Sequence, residues 1–302
     1  MGYYKSLGLH KEPFSTSPDP SLFYLAKEHR IALYRLMISV MLRRGLSLIL
    51  GDVGAGKTTL SRRFVQLIGD EPKMTIQMIL NPLFQDEKEF LKEICVRFGI
   101  HLGPEIEEAA FYYSKIEDYL FRKGVAEGRT IVLLIDEAQK LNDGCLEALR
   151  GLLNYETNDY KILQVVLVSQ IELVPRLLKV RNFWDRISMK HRLPLLEFEE
   201  MREMIAFRLS KAGYEAPVQL FTHEALQSMY RATRGSPRQV TQLCHDCLEH
   251  LVMHEKQYVD KILVEHLVKR ENDLLFAIDN RGMETDEFRA SPETADTRRA
   301  AV

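Results

Sequence analysis

The sequence lacks the features of a secreted or membrane-spanning protein. Its 302 residues include four cysteines, too few for a disulfide framework in a chain of this size. The first residues, MGYYKSLGLHKEPF, have no apolar core of a signal peptide. Apolar windows such as residues 31–42 are interrupted by Arg35 and are too short to cross a bilayer. We therefore expect a cytoplasmic protein and no membrane segment in this chain.

An excess of charge of one sign is also missing. The chain has 41 lysines and arginines against 43 aspartates and glutamates, which gives a net charge of −2. This balance does not require a nucleic acid or an anionic membrane as partner. We interpret the basic pairs Arg43–Arg44 and Arg62–Arg63 as solvated surface, with contact to DNA phosphates as the alternative. The length suffices for a large α/β domain and a smaller one.

A glycine-rich loop is the feature around which the rest of the sequence is organised. Residues 51–58, GDVGAGKT, match the pattern G-x-x-x-x-G-K-[ST], follow the apolar run 46–50 and open a segment with helical spacing of apolar residues. Glycines let backbone N–H groups approach phosphate oxygens, and the helix start carries partial positive charge. Lys57 suits the β- and γ-phosphates, and the Thr58 hydroxyl suits Mg²⁺. We predict an ATP site formed by Gly51, Val53, Gly54, Ala55, Gly56, Lys57, Thr58 and Thr59.

A pair of acidic residues follows a second apolar strand. Asp136 and Glu137 come directly after residues 130–135, TIVLLI, which are typical of a strand buried on both faces of a parallel sheet. Such a strand should end beside the glycine-rich loop. Asp136 suits a Mg²⁺ ligand, and Glu137 suits a group that polarises the attacking water. The acidic pair alone is a weak signal, but together with the loop it predicts ATP hydrolysis.

The remaining chain indicates a further strand and a helical region, in addition to a strand predicted at residues 74–80. Residues 162–169 form an apolar run that ends at Ser169, and Gln170 after it is placed to sense the γ-phosphate or to orient water, unless it only terminates the strand. The segments with helical spacing that follow predict a small helical domain, and residues 279–302 predict a disordered tail. Cys244 and Cys247 lie within a predicted helix without a second cysteine pair. We interpret them as buried structural cysteines rather than a zinc or redox site.

With these residues, the chain resembles the AAA+ ATPase domain of the ExeA family, also called general secretion pathway protein A, over about residues 3–275. It is more distantly similar to the transposition regulators MuB and TnsC. The resemblance rests on segments in the same order: LGLHKEPF (7–14), PDP (18–20) with FY (23–24), the glycine-rich loop, LNP (80–82), DEAQ (136–139), LRGLLNYET (149–157), LQVVLV (163–168) and GSPR (235–238).

The resemblance implies an α/β fold in which a P-loop AAA+ domain with a parallel sheet is followed by a small all-helical lid domain. In this chain, the ATPase core would span residues 46–195 and the lid residues 196–278. Residues 1–45 would form an N-terminal segment and a helix that borders the nucleotide site.

The resemblance also implies three further site residues. Gln170 would be the sensor-1 residue, Arg186 the arginine finger that acts on a neighbouring subunit, and Arg238 the sensor-2 residue that reaches the phosphates from the lid. Arg176 and Arg181 are alternatives for the finger.

The function expected from these features is that of an AAA+ ATPase that binds and hydrolyses ATP with Mg²⁺. It would assemble with ATP into a homo-oligomeric ring or filament and act as a motor or switch on a protein partner. One alternative is a DNA-associated regulator of the transposition type, bound to double-stranded DNA as an ATP-dependent oligomer. Another is a nucleotide-gated binding module with little turnover.

Overall fold

A parallel sheet of five strands is the centre of the computed structural model, which describes residues 2–15, 20–103, 108–180, 182–215 and 219–273. Neighbouring strands in the order β2-β3-β4-β1-β5 are all parallel, so their carboxyl ends meet at one edge of the sheet. The α/β fold predicted from the sequence is confirmed. The strands are β1 (Leu46–Gly51), β2 (Met74–Ile79), β3 (Thr130–Ile135), β4 (Leu163–Ser169) and β5 (Ile187–Leu193).

Helices cover both faces of the sheet. Along β3, Ile131 and Leu133 pack against one helical layer, and Val132 and Leu134 pack against the other, which explains why the whole strand is apolar. Helices α1 and α2 form the second layer, and α3, α4 and α5 form the first. The helices of this domain are α1 (Lys27–Met41), α2 (Lys57–Gly69), α3 (Glu87–Arg97), α4 (Ala109–Leu120), α5 (Asp143–Leu152) and α6 (Val174–Lys179).

Strand β5 was not predicted from the sequence. It lies at the edge of the sheet, beside β1, and its residues alternate between buried and partly or fully exposed positions. Ile187, Met189 and Leu193 point to the core, whereas Ser188 and Arg192 are exposed. An edge strand with one solvated face carries polar residues, so it has no continuous apolar run. The apolar residues of ISMKHRL fall on alternate positions, apart from His191, and this partial alternation is the signal that could have found the strand.

A separate apolar core holds the helical domain together, as the sequence predicted. Residues of this core come from α7 (Phe198–Lys211), α8 (His223–Thr233), α9 (Pro237–Met253) and a last helical segment, α10 (261–273). The start of α8 is capped by Thr222, whose side chain accepts a hydrogen bond from Ala225 N–H. The predicted tail, residues 279–302, lies outside the described residues. In the described part of the chain, no helix is long and apolar enough to span a membrane.

The N-terminal segment, residues 2–15, packs on this helical domain. Phe14 is fully buried in its core and meets Phe221 edge to face, with ring centroids 6.3 Å apart. The backbone N–H of His10 donates to the carbonyl of Ala212 over 2.8 Å. Residues far apart in the sequence therefore complete one core.

Arg43 is tied to its own chain rather than free for a partner. Its guanidinium donates to the Thr130 hydroxyl (3.1 Å) and the Gly128 carbonyl (2.7 Å), and it lies 4.4 Å from the ring centroid of Tyr160. These contacts connect the end of α1 to the amino end of β3. Arg43 is therefore not a solvated side chain as the sequence suggested, whereas Arg44 is exposed.

Candidate functional site

The glycine-rich loop joins β1 to α2 at the carboxyl edge of the sheet. Gly54 and Gly56 have φ angles of 81° and 86°, in the left-handed region that favours glycine. A Cβ atom at Gly54 would lie 2.8 Å from Ser236 Oγ and 2.9 Å from Arg238 Cβ. The loop therefore needs glycine both for its own bend and for the close approach of the helical domain.

Lys57, the first residue of α2, is almost completely buried at the end of this loop. Its Nζ atom donates to the backbone carbonyls of Gly51 and Asp52, each over 2.9 Å. Burial lowers the pKa of the Lys57 ammonium, and the nearby carboxylates of Glu137 and Asp136 counteract this shift. The loop thus presents a partly desolvated positive charge beside two acidic residues.

Asp136 lies directly behind Thr58. It is 1% exposed, and burial raises the pKa of its carboxyl group, while a hydrogen bond from the Thr58 side chain and one from Glu137 N–H oppose the shift. A hydroxyl and a carboxylate in contact, at the start of a helix, are oxygen donors of the kind that Mg²⁺ prefers. Thr58 and Asp136 therefore fit a magnesium site.

Glu137 turns toward the solvent-accessible side of this edge. Its φ angle of 54° lies in the left-handed region, where non-glycine residues are uncommon. The carboxylate oxygen Oε2 accepts a hydrogen bond from Gln139 Nε2 over 2.7 Å and lies 3.7 Å from Lys140 Nζ. A carboxylate held in this way can accept a proton from a bound water.

A cavity of about 300 Å³ lies between the loop and the helical domain. It brings together most of the residues predicted for the site, which come from the loop, from the ends of β3 and β4, and from the start of α9. Gly51, Ala55 and Asp136 lie behind this lining. The predicted residues that line the cavity are Val53, Gly54, Gly56, Lys57, Thr58, Thr59, Glu137, Gln170 and Arg238.

Several lining residues were not predicted as site residues from the sequence. His29, on α1, is 3% exposed, and its Nε2 atom lies 2.9 Å from the Ala55 carbonyl, which ties α1 to the loop. Its ring meets the Phe23 ring edge to face at 5.6 Å. No local pattern marks these residues, because their contacts depend on the path of the chain before α1. The other unpredicted lining residues are Ser15, Tyr24, Leu196, Met204, Arg208, Pro237 and Thr241.

Arg186 does not line the cavity of its own chain. Arg186 directly precedes β5, which runs parallel to β1, so it lies near the amino ends of the strands. The loop lies at their carboxyl ends, and the length of a strand separates the two by about 20 Å. The Nη1 atom of Arg186 donates to Asn154 Oδ1 over 2.5 Å. Arg176 instead donates to the carbonyls of Gln139 and Leu141. Arg181 lies outside the described residues.

Cys244 and Cys247 are fully buried on α9, in the core of the helical domain. Burial raises the pKa of both thiols well above the usual range for cysteine. Neutral, inaccessible thiols are poor nucleophiles and poor metal ligands. The cysteines therefore contribute to packing, as they do in other apolar cores.

Known proteins resemble this chain in sequence and in fold. The family described as AAA domain matches residues 41–177. General secretion pathway protein A of Aeromonas hydrophila is 37% identical over 250 residues, which cover 82% of this chain and 44% of that protein. The chain is an AAA ATPase of the ExeA type. It spans less than half the length of this curated relative.

Solved structures with the same fold are more distant in sequence. The ORC2 protein of Aeropyrum pernix in its ADPNP-ADP complexes superposes with a TM-score of 0.63 at 17% identity, over 87% of this chain and 72% of that one. Drosophila ORC bound to DNA gives 0.63 at 18% identity, over 86% and 64%. The Thermotoga maritima RuvB Holliday junction branch migration motor gives 0.53 at 15% identity, over 80% and 68%. At these identities, the likeness establishes the fold of this ExeA-type ATPase.

Proposed function

We propose that the protein binds ATP with Mg²⁺ in this cavity and hydrolyses it. The observation that carries the proposal is the convergence of Lys57, Thr58, Asp136 and Glu137 where α2 begins, in a cavity that the helical domain closes. A positive charge, a pair of oxygen ligands and a separate proton acceptor are the groups that phosphoryl transfer to water requires.

Each group has a distinct task in this reaction. Backbone N–H groups of the loop and the Lys57 ammonium bind the phosphates and offset their charge. Thr58 and Asp136 would hold Mg²⁺, which would supply further positive charge to the phosphate oxygens. Glu137 orients a water and accepts its proton as the water attacks the γ-phosphate. Gln170 and Arg238, from opposite sides of the cavity, contact the γ-phosphate.

We infer that ATP also drives self-association, with Arg186 acting on the nucleotide of a neighbouring copy. Arg186 lies near the amino ends of the strands, whereas the cavity of its own chain lies at their carboxyl ends. It can therefore contact a γ-phosphate only in another copy. A ligand that contacts both copies adds its binding energy to their interface. The exposed face of α1 offers an apolar surface for such an interface. Its apolar residues, each at least 36% exposed, are Ile31, Tyr34, Ile38 and Met41, with Leu42 just after the helix.

We propose a protein as the partner on which this ATPase acts, as a motor or a switch. The similarity to general secretion pathway protein A supports this choice, since it covers most of the present chain. Binding to double-stranded DNA is the alternative, and the half-exposed pair Arg62–Arg63 on α2 is the surface that favours it, because Arg43 is held within the chain. Salt-dependent retention of DNA in the presence of ATP would decide for the alternative.

The proposal is tested by mixing two inactive variants. Glu137→Gln should bind ATP but hydrolyse it about 100-fold more slowly, because an amide does not accept the proton of the water. Arg186→Ala should also be slow, because the neighbour's transition state loses a positive charge. In mixed assemblies, some interfaces join an intact Arg186 to an intact Glu137. Phosphate release by the mixture should therefore exceed that of either variant alone.

The matched control for Arg186→Ala is Asn154→Ala. It removes the same hydrogen bond within the chain but keeps the guanidinium, so its hydrolysis rate should stay close to that of the unmodified protein. Co-purification of differently tagged variants establishes that mixed assemblies form. Mixed assemblies without rescue of hydrolysis contradict the role of Arg186. A protein that stays monomeric with ATP at every concentration contradicts assembly itself.

A further inference from the structure

The side chain of Gln139 connects the ends of two neighbouring strands at the site. Its Oε1 atom accepts hydrogen bonds from the Ser169 hydroxyl (3.1 Å) and the Gln170 backbone N–H (3.2 Å), both at the end of β4. Its Nε2 atom donates to the Glu137 carboxylate over 2.7 Å, just after β3. One amide group therefore links the proposed proton acceptor to the strand that carries the proposed γ-phosphate contact.

The orientation of this amide is determined by its neighbours. The Gln170 N–H can only donate, so it must face the amide oxygen. The Ser169 hydroxyl is placed to donate either to the same oxygen (3.1 Å) or to the Gln170 carbonyl (3.0 Å), so it is compatible with this orientation but does not determine it. The amide nitrogen is then left to face Glu137, and an ionised carboxylate can only accept. A flipped amide would oppose N–H to N–H and carbonyl to carboxylate, which makes the observed arrangement the stable one.

The backbone of Gln139 is also held in place, by a hydrogen bond from Arg176. It lies in the short helical turn Ala138–Lys140, and its carbonyl accepts a hydrogen bond from Arg176 Nη1 over 3.0 Å. Arg176 donates as well to the Leu141 carbonyl (2.5 Å) and to Asp143 Oδ1 (2.7 Å). Because Arg176 comes from α6, which follows β4, both the side chain and the backbone of Gln139 are held to the β4 side of the site.

Glu137 has few other restraints on its carboxylate. Its backbone N–H is bonded to Asp136 Oδ1 (2.9 Å), which fixes the main chain but not the side chain. Lys140 Nζ is 3.7 Å from Oε2, beyond the range of a good hydrogen bond, and the Lys140 side chain is 41% exposed. The short hydrogen bond from Gln139 is therefore the contact that sets where the carboxylate points.

We propose that Gln139 is a positioning residue, which holds the Glu137 carboxylate at a fixed place relative to Gln170. This inference rests on the ATP hydrolysis proposed above. A proton acceptor works only within a narrow range of distances and angles to the attacking water, so loss of its restraint lowers the rate of the chemical step. It does not weaken ATP binding, because Gln139 is not among the residues that line the cavity.

The variant that tests this role is Gln139→Met, which keeps the length and approximate volume of the side chain and removes the amide. We expect kcat to fall by about tenfold, the factor that corresponds to losing one hydrogen bond to a charged group. The Kd for ATP should stay unchanged, and circular dichroism should show a folded protein. A lower unfolding temperature is expected, because three hydrogen bonds of the amide are lost. Gln227→Met, an exposed glutamine on α8, is the control for the same chemical change away from the site.

Two combinations show whether Gln139 acts through Glu137. In a Glu137→Gln background, Gln139→Met should cause no further loss of kcat, because the group that it positions has already been changed. Ser169→Ala should lower kcat less than Gln139→Met does, since the Gln170 N–H still orients the amide. In a Gln139→Met background, Ser169→Ala should cause no further loss of kcat. If the second substitution lowers kcat in either combination by the same factor as it does alone, the positioning role is overturned. It is also overturned if Gln139→Met leaves kcat unchanged or raises it.

These experiments distinguish failure of the proposed ATP hydrolysis from failure of the positioning role of Gln139. If the unmodified protein does not hydrolyse ATP, or if Glu137→Gln is as fast as the unmodified protein, the proposed function fails and the inference fails with it. If hydrolysis occurs and Glu137→Gln is slow but Gln139→Met keeps its full rate, only the positioning role of Gln139 is overturned.

Discussion

The two walls of the nucleotide cavity are built in different ways. The core wall comes from the sheet domain, and its residues are linked to one another by hydrogen bonds through the backbone, Asp136 and Gln139. The helical wall includes more apolar side chains. The core wall includes Gly54, Lys57, Glu137 and Gln170. The helical wall includes Leu196, Met204, Arg208 and Arg238.

The helical wall is connected to the rest of the protein mainly through the chain before and within α1. Glu200 accepts a hydrogen bond from Lys27 N–H (3.1 Å), and Glu203 accepts a short one from the Tyr24 hydroxyl. Ser236 and Arg238 lie against Gly54. From this difference we expect the core wall to determine whether nucleotide binds and the helical wall to adjust how a bound nucleotide is enclosed.

The largest effect is expected from the core wall. Lys57→Ala removes the buried ammonium that offsets the charge of the β- and γ-phosphates, so ATP affinity should fall at least about 100-fold. Isothermal titration calorimetry measures this directly. Lys73→Ala, at an exposed position before β2, is the control and should bind normally. Unchanged affinity of Lys57→Ala would remove the basis for the proposed ATP site.

An intermediate effect is expected from the helical wall. Arg238→Ala leaves the loop and Lys57 intact, so ATP should still bind, with an affinity reduced by about tenfold for one lost charged contact. Hydrolysis should fall further than affinity if the guanidinium contacts the γ-phosphate in the transition state. Arg231→Ala, exposed on α8, is the control. Loss of binding as complete as for Lys57→Ala would show that the two walls contribute equally, contrary to the comparison.

The smallest effect is expected where the helical wall is attached. Tyr24→Phe removes the hydroxyl that donates to Glu203, a partly solvated hydrogen bond worth about 1 kcal/mol in the free energy of unfolding. Chemical denaturation followed by circular dichroism measures this loss, and ATP affinity should change by less than about threefold. Tyr258→Phe, at an exposed position between α9 and α10, is the matched control. A loss of ATP affinity as large as that of Arg238→Ala would mean that this attachment shapes the site itself.

The core wall was predictable from the sequence because its residues lie in short contiguous patterns. The loop follows β1 and opens α2, and Asp136 and Glu137 follow a strand whose burial on both faces requires an unbroken apolar run. These local patterns place the groups at one sheet edge without any knowledge of distant contacts. The parallel sheet and the helical domain were predicted for the same reason.

The rest depended on contacts that no local pattern records. His29 meets the Ala55 carbonyl across 26 positions, and the Tyr24 hydroxyl meets Glu203 across 179. Gln139 was part of a recognised segment, but its task emerges only when the ends of β3 and β4 are side by side. Strand β5 was missed because an edge strand needs only one apolar face.

The burial of Phe14 in the core of the helical domain affects the order in which the domains fold during synthesis. Phe14 is synthesised before the sheet domain, but it is buried among residues of α7 to α10, which are made about 200 positions later. The sheet domain between them can fold while this phenylalanine is still exposed to chaperones. The helical domain, and with it the closed cavity, can form only once translation has passed α9. The nascent chain would therefore acquire its phosphate-binding loop well before the complete nucleotide site.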